Sequence, residues 1–341
     1  MKINTLAFQE ALTIVEPGLA SKEFFEQTKS FAFKNSHVIT YNDDISISHP
    51  IDRLDFEGAI KAKLLYKYLG KIDSKEIEVS INRNEFYIVS GQSKACFNLQ
   101  SEVKLPLDEQ IVLRGDWKQL PENFIKYVGF ALFSCFKYTF NPALNCIHIT
   151  KEGIIESTDS DRITRCELGE EMPVTTFLLP LDSAVEVVKL NPLYISEPNN
   201  GWVHFKTELG TVISCRVFKG KFPNCLPYFV LEGKELTFPN EFEECLERAM
   251  VFSKRDYILD ECIYITVKNN LFKLEAKGRG WFEEEQSIEY QGEPIHFEIT
   301  PYLIKEIIKE TQTCLYNEKR LKFEGEGWQH ILQLRNRTKS H

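Results

Sequence analysis

The sequence predicts an α+β fold made of three repeats of one module, each with two helices packed on antiparallel sheets. The order of an amphipathic helix, a β-rich stretch, a second short helix and further strands recurs at intervals of roughly 115 residues. The stretches between helices alternate apolar and polar residues around turn residues, which is typical of hairpins. The predicted domains cover residues 1–112, 113–234 and 235–341.

The first helix of each module carries a single apolar stripe. In the first module Phe8, Ala11, Leu12 and Val15 stand at positions i, i+3, i+4 and i+7. The same spacing recurs at Phe124, Tyr127, Val128 and Ala131, and again at Phe242, Cys245, Leu246 and Ala249. A helix with one apolar face buries that face, so each is expected to lie on a sheet.

A second, shorter helix is predicted in each module, over residues 56–68, 181–190 and 301–311. Thr300 is the predicted N-cap of the last one, because Pro301 suits the first helical position. Hairpins are predicted over residues 38–48, 77–90 and 263–274, where alternating runs flank turns that contain asparagine.

Composition limits the class of protein. The 341 residues are 43% hydrophobic, enough for two or three separate cores. No apolar run is long enough to span a bilayer, and the N-terminus does not resemble an export signal, so we expect a cytoplasmic protein without a membrane partner. The nine cysteines include no C-x-x-C pair and are expected to be reduced and mostly buried. The net charge of −9 argues against a protein that grips nucleic acid over its whole surface.

No catalytic motif stands out among the seven histidines or the glycines. The sequence Thr158-Asp159-Ser160-Asp161-Arg162 offers two carboxylates, but a D-x-D pair lacks the other oxygen ligands that Mg²⁺ or Ca²⁺ needs, so a turn or recognition loop is favoured. The glutamates at 283–285 and 289 allow a solvated charged face, a metal site or pairing with a basic strand of a partner. Neither a metal nor a cofactor is predicted.

Several segments occur in the order found in one protein family. They cover residues 62–65, 77–81 and 84–99 in the first module, 143–147, 157–164 and 220–224 in the second, and 283–292 with 295–308 in the third. In this colinear set the chain resembles the bacterial-type β sliding clamps, the ring-shaped processivity factors of replicative DNA polymerases. The resemblance implies a non-enzymatic protein that encircles duplex DNA as a head-to-tail ring dimer, and its partners would be double-stranded DNA, a DNA polymerase and a clamp loader.

The resemblance also implies a groove that binds a short peptide of the polymerase. Its residues would be Leu144, Thr158, Asp161, Arg162, Ile163, Pro223, Tyr302, Leu332 and Leu334. Arg162 is expected at the rim, over an apolar floor. The chain departs from the family pattern here, because Ser160-Asp161 replaces Gly-His and residues 332–335 replace the usual terminal motif. Asp161 should therefore make the groove less tolerant of acidic peptides.

Two further surfaces follow from the resemblance. The DNA channel would be lined by cations of the repeated helices and one loop, namely Lys22, Lys61, Lys63, Lys67, Lys126, Lys137, Lys189, Arg248, Lys254, Lys305 and Lys309. A mildly positive lining suits a ring that must slide. The dimer interface would join edge strands of modules one and three, with Lys94, Phe97, Leu99 and Lys104 facing Glu283, Glu284, Glu285 and Glu289.

Three other functions are compatible with parts of the sequence. A monomeric clamp-like adaptor would share the same motifs and differ in oligomeric state. A decoy would form mixed dimers with another clamp. A metal-dependent nuclease would need turnover that depends on Asp159, Asp161 and the glutamates.

Overall fold

The computed structural model describes residues 1–107, 111, 115–136 and 141–335. Within them the helices are α1 (Thr5–Val15), α2 (Ala62–Leu69), α3 (Phe124–Ala131), α4 (Leu181–Leu190), α5 (Phe242–Ser253) and α6 (Pro301–Ile304). The strands are β1 (Lys2–Asn4), β2 (Ser30–Lys34), β3 (His37–Tyr41), β4 (Ile45–Pro50), β5 (Gly58–Lys61), β6 (Glu76–Asn82), β7 (Glu85–Ser90), β8 (Ser93–Asn98), β9 (Lys118–Gln119), β10 (Cys146–Ile149), β11 (Ile154–Thr158), β12 (Arg162–Glu167), β13 (Phe177–Pro180), β14 (Tyr194–Asn199), β15 (Trp202–Lys206), β16 (Val212–Arg216), β17 (Lys234–Thr237), β18 (Ile263–Lys268), β19 (Leu271–Lys277), β20 (Trp281–Ser287), β21 (Ile295–Ile299), β22 (Thr313–Asn317), β23 (Arg320–Gly325) and β24 (Trp328–Gln333). The predicted α+β class is confirmed.

The chain forms two compact units. One consists of Met1–Ile125 with Glu171–Lys219, and the other of Lys126–Glu170 with Gly220–His341. Each unit therefore combines segments that are far apart in the sequence. The three predicted module boundaries stay a prediction. Among the described residues, no helix has both the length and the hydropathy needed to cross a bilayer.

The first unit contains two antiparallel sheets. A four-stranded sheet has the order β1-β6-β7-β8, and an eight-stranded sheet has the order β5-β2-β3-β4-β16-β15-β14-β9. The larger sheet is continuous because β4 pairs with β16, where Ile47 lies opposite Ile213. Helix α1 buries Phe8, Leu12 and Val15, so the apolar stripe has the role predicted for it.

The second unit repeats this plan. Its four-stranded sheet has the order β20-β19-β18-β21, and the strands of this unit in its larger sheet have the order β10-β11-β12-β24-β23-β22-β17. The larger sheet is joined where β12 pairs with β24. Helix α5 buries Phe242, Cys245 and Leu246, and Phe242 stacks on Phe238 with ring centroids 4.5 Å apart. Aromatic side chains thus fill the space between helix and sheet.

Each large sheet also buries one histidine that bonds a hydroxyl group. His204 Nδ1 lies 2.8 Å from Ser214 Oγ, and His330 Nδ1 lies 2.8 Å from Thr164 Oγ1. Burial lowers the pKa of His204 to about 4, and burial together with the charge of Arg162 lowers that of His330 to about 3. Both rings are therefore neutral at physiological pH.

Most predicted elements are confirmed, with two corrections to the shorter helices. The structure starts the helix predicted over 56–68 at Ala62, because Gly58–Lys61 forms strand β5. Gly58 has φ +153°, and a Cβ there would lie 2.7 Å from the Gln100 carbonyl oxygen, so only glycine fits. The helix predicted over 301–311 ends at Ile304, and its Thr300 hydroxyl donates to the Leu259 carbonyl oxygen instead of capping the helix.

Candidate functional site

A cleft of about 350 Å³ lies within the second unit. Its lining residues come from the segment before β10, from the turn between β11 and β12 and its flanking residues, from the chain around Pro223, and from strands β23 and β24. They are Asn141, Leu144, Thr158, Ser160, Asp161, Ile163, Pro223, Asn224, Cys225, Tyr228, Arg320, Ile331 and Gln333. Five residues of the predicted groove therefore meet here, namely Leu144, Thr158, Asp161, Ile163 and Pro223. We call this cleft the groove.

The floor of the groove is made by neighbouring strands of the larger sheet. Ile163 lies opposite Thr158 on one side and opposite Ile331 on the other. Directly opposed residues share one face of a sheet, so these three side chains form a continuous surface. Ile163 is only partly buried, which leaves apolar area for a ligand to cover.

The turn Asp159–Arg162 is held by its own carboxylate. Asp159 Oδ1 accepts from the backbone N–H groups of Asp161 (3.1 Å) and Arg162 (2.8 Å). Its Oδ2 accepts from Nε and Nη2 of Arg162 at 3.0 and 2.8 Å. A carboxylate engaged by four donors has no free lone pair for a metal, and the described residues contain no metal-binding cluster. The recognition-loop interpretation is therefore favoured over a metal site.

The prediction that Arg162 stands at the groove rim is wrong. Its side chain is 2% exposed and lies against the Tyr302 ring, with 4.8 Å from Cζ to the ring centroid. The reason is strand alternation, because Arg162 precedes Ile163 and points to the opposite face of the sheet. Tyr302, which contacts Arg162 there, does not line the groove either.

The same alternation corrects the two terminal leucines. Leu332 and Leu334 are buried, at 0% and 2% exposure, and face away from the groove. Their neighbours Ile331 and Gln333 line it instead. The resemblance selected Leu332 and Leu334, but alternate residues of a strand point to opposite faces of the sheet, so their odd-numbered neighbours line the cleft.

The groove contains an arginine that the sequence did not suggest. The Arg320 guanidinium lies over the Tyr228 ring, 5.1 Å from its centroid. Asp161 lines the same cleft, and burial, followed by the charge of Asp159, raises the pKa of its carboxyl group. The groove therefore combines an apolar floor with one acidic and one basic side chain. Cross-strand pairing with Gln333 is the signal that would have identified Arg320.

The structure describes ten of the eleven predicted DNA-facing cations. Lys63 and Lys67 on α2 line a cleft of about 500 Å³ together with Lys29, and Lys22 is exposed in the loop nearby along the chain. Lys126 lies 5.8 Å from the centroid of the Tyr127 ring. Six of the eleven are in ion pairs, namely Lys61, Lys189, Arg248, Lys254, Lys305 and Lys309. Lys137 lies outside the described residues.

Each four-stranded sheet ends in an outer strand that carries the predicted subunit contacts. Strand β8 holds Lys94 and Phe97, and β20 holds Glu283, Glu284 and Glu285. Lys94 lies over the Tyr87 ring, and Lys104 pairs with Glu26 at 3.0 Å. Glu284 accepts a two-pronged contact from Arg248 at 2.6 and 2.9 Å, and Lys273 Nζ lies 2.9 Å from Glu283. Glu289 follows β20 and is exposed.

The structure corrects two of these subunit contacts and adds an apolar patch. Phe97 and Leu99 are each 4% exposed and belong to the core of the first unit, where Phe97 contacts Phe86. Beside β20, in contrast, Val251 is 69% exposed and Phe252 36%, and Phe252 stacks on Phe282 of that strand. We call Val251 and Phe252 the apolar patch. Single exposed apolar residues are ordinary, but neighbouring ones mark interaction surfaces.

The fold is that of the DNA sliding clamps. The DNA polymerase III subunit beta of Pseudomonas aeruginosa is 14% identical, with a TM-score of 0.79 over 98% of this chain and 99% of that one. The subunit from Thermotoga maritima is 18% identical, with a TM-score of 0.77 over 98% of each chain. The beta chain from Streptococcus pneumoniae is 15% identical, with a TM-score of 0.82 over 98% and 99%. No protein-family model and no curated protein matches the sequence.

Proposed function

We propose that this chain is a DNA sliding clamp that encircles duplex DNA as a homodimer and tethers a replicative polymerase through the groove. The observation that carries the proposal is the clamp fold over 98% of the chain, with nearly all of each solved clamp covered in return. A match to only part of each solved clamp would be equally compatible with a single module of a different assembly. A match of this extent supports the whole architecture.

The groove supports the tethering role. Ile163, partly exposed beside the buried Ile331, offers an apolar floor in which a short peptide can bury one or two anchor side chains. Few well-packed anchors are enough to give a linear motif useful affinity. Asp161 and Arg320 at the same cleft provide the polar groups that orient such a peptide.

The charge distribution supports binding by enclosure. The net charge is −9, and six of the proposed channel cations are neutralised by partners in their own chain. Exposed pairs of this kind contribute little and exchange readily with other ions. Weak, exchangeable contacts to phosphate suit a protein that is retained by topology and must move along DNA.

The outer strands support assembly into a ring. β8 and β20 each have one edge without a strand neighbour in the described part of this chain, and the apolar patch lies beside β20. Pairing β8 of one protomer with β20 of another would close both edges and cover the patch. A loader that opens this ring is the further partner we propose, together with the polymerase. The proposed role is not enzymatic.

Retention on closed DNA tests this function. The protein is incubated at high concentration with nicked circular plasmid, separated by gel filtration, and compared before and after the plasmid is linearised. We expect the protein to stay with the circle and to leave the linear form, because only a ring is held by topology. Retention on the circle that persists unchanged after linearisation would exclude encirclement and favour an adaptor.

Charge reversal identifies the channel. Changing Lys22, Lys63 and Lys67 together to glutamate should reduce retention on the circle by repelling phosphate. A matched variant with Lys75, Lys151 and Lys219 changed to glutamate has the same net charge and should be retained like the parent.

A separate experiment distinguishes a decoy. The protein is mixed with a second clamp and the mass of the complexes is measured, because a decoy would form mixed dimers.

A further inference from the structure

The groove presents two opposite charges that have no ionic partner among the residues the structure describes. One is the carboxylate of Asp161, and the other is the guanidinium of Arg320. By contrast, the nearby Asp159 and Lys322 are both paired within the chain. Two free charges of opposite sign in one apolar cleft are a recognition feature, since partly buried charges are most stable when paired.

Strand register fixes the separation of these two charges. The Gln333 N–H donates to the Asp161 carbonyl oxygen at 2.8 Å, and Arg320 lies opposite Gln333 on the other side. Asp161, Gln333 and Arg320 therefore form one row across three strands. Neighbouring strands are about 4.8 Å apart, which sets the two charged residues roughly 10 Å from each other.

The apolar floor lies in the next row of the same face. Ile163 and Ile331 are opposed to each other, two positions along their strands from Asp161 and Gln333. Two residues of a strand span about 7 Å, so the charged row runs beside the apolar row at that distance. A peptide that buries an apolar anchor between Ile163 and Ile331 brings its flanking side chains over the charged row.

Each charge is placed to accept a partner from outside. Asp161 is half-buried, and burial raises the pKa of its carboxyl group, so a cation from a ligand would relieve the cost of keeping it ionised. Arg320 rests on the Tyr228 ring, and a guanidinium stacked on a ring keeps N–H donors at its edge for a carboxylate.

We propose, as a refinement that rests on the function proposed above, that the partner peptide binds in a polyproline II conformation and carries a basic and an acidic side chain three residues apart beside its apolar anchor, because three such residues span about 9 Å and return to the same side of the peptide. The basic side chain pairs with Asp161 and the acidic one with Arg320. A peptide with the two charges exchanged meets like charge at both ends and is rejected. The charges thus select one partner sequence and one orientation.

Three synthetic peptides test the proposal. All share a Leu-Phe anchor and a fluorescent label, and they carry Lys then Glu, Glu then Lys, or Gln at both positions, three residues apart. Fluorescence anisotropy measures their affinity for the full chain. We expect one charged order to bind about three- to tenfold tighter than the neutral peptide and the other order to bind more weakly. Added salt should reduce the difference in affinity between the two charged peptides, because it screens their charges.

Variants assign the effect to the two side chains. The double variant Asp161→Asn with Arg320→Gln should bind the two charged peptides with equal affinity. Arg320→Lys keeps the positive charge and should retain most of the difference in affinity between them. The matched changes Glu318→Gln and Lys319→Gln alter exposed charges in the adjacent turn and should leave it intact. These controls exclude a general effect of net charge.

Two outcomes would overturn different parts of the interpretation. Equal binding of the three peptides, with binding still lost in Ile163→Asp, would refute the charge selection and leave the groove in place. Failure of every peptide to bind, or binding unaffected by Ile163→Asp, would refute the groove as the docking site and the tethering role with it.

Discussion

Ile163 of β12 and Ile331 of β24 lie directly opposite each other, although 168 residues separate them in the sequence. Their pairing does two things at once. It joins the larger sheet of the second unit, and it creates the apolar floor of the groove. The proposed peptide site is therefore part of the sheet itself, not a loop added to it, which keeps its geometry rigid.

Substitutions on the two faces of this pairing should separate binding from stability. Ile163→Asp places a charge on the groove floor and should abolish binding of the neutral Leu-Phe peptide. Leu332→Ala removes a fully buried side chain on the opposite face and should lower the free energy of unfolding by about 2–5 kcal/mol. Peptide anisotropy and urea denaturation measure the two effects. Loss of peptide binding in folded Leu332→Ala would place that residue in the groove after all.

The buried pair of Asp159 and Arg162 should be essential for folding of the second unit. The side chains are 5% and 2% exposed, so Asp159→Asn leaves a guanidinium buried without its counter-charge, at a cost of about 3–5 kcal/mol. The exposed pair of Glu306 and Lys309 is the control, and Glu306→Gln should cost less than about 1 kcal/mol. Equal shifts in thermal midpoint would contradict this distinction.

Acid should destabilise the protein through His204 and His330. Their pKa values fall from an ordinary 6.5 to about 4 and about 3 in the folded chain. The unfolded chain therefore binds more protons, and stability is complete above pH 6.5 and decreases as the pH falls toward those lower values. In His204→Asn and His330→Asn, the urea midpoint should depend less on pH between 6.5 and 4.5. An unchanged pH dependence would mean that other groups dominate.

Dimerisation should depend on the apolar patch. For the parent we expect a mass of roughly twice the 39.7 kDa chain by sedimentation equilibrium. Val251→Asp puts a charge in the patch and should shift the mass toward one chain, whereas Leu209→Asp, at a residue 75% exposed elsewhere, should not. Glu285→Lys should act in the same direction as Val251→Asp. Reversing Glu284 is less informative, since it also breaks the contact with Arg248. A monomeric parent at micromolar concentration would contradict the ring.

The sequence predicted what depends on local periodicity. The stripes of α1, α3 and α5 and the span Leu181–Leu190 of α4 are found where spacing placed them. Local patterns could not show that Gly58–Lys61 pairs with β2, because that pairing is a tertiary contact. Local patterns also did not show which alternate residues of β24 face the groove and which face the core, and a shift of one position exchanges the two faces. Arg320 was overlooked because its link to Asp161 runs through Gln333 on a third strand.

The distribution of thiols gives the molecule a natural attachment point for a probe. Of the nine cysteines, all free, eight are buried and only Cys96 is exposed, on the outer strand β8. A maleimide dye or spin label should therefore modify the folded protein at one position without prior removal of cysteines. Because β8 is a proposed subunit contact, a label attached there would report whether two protomers meet at this strand, by distance or by quenching between them.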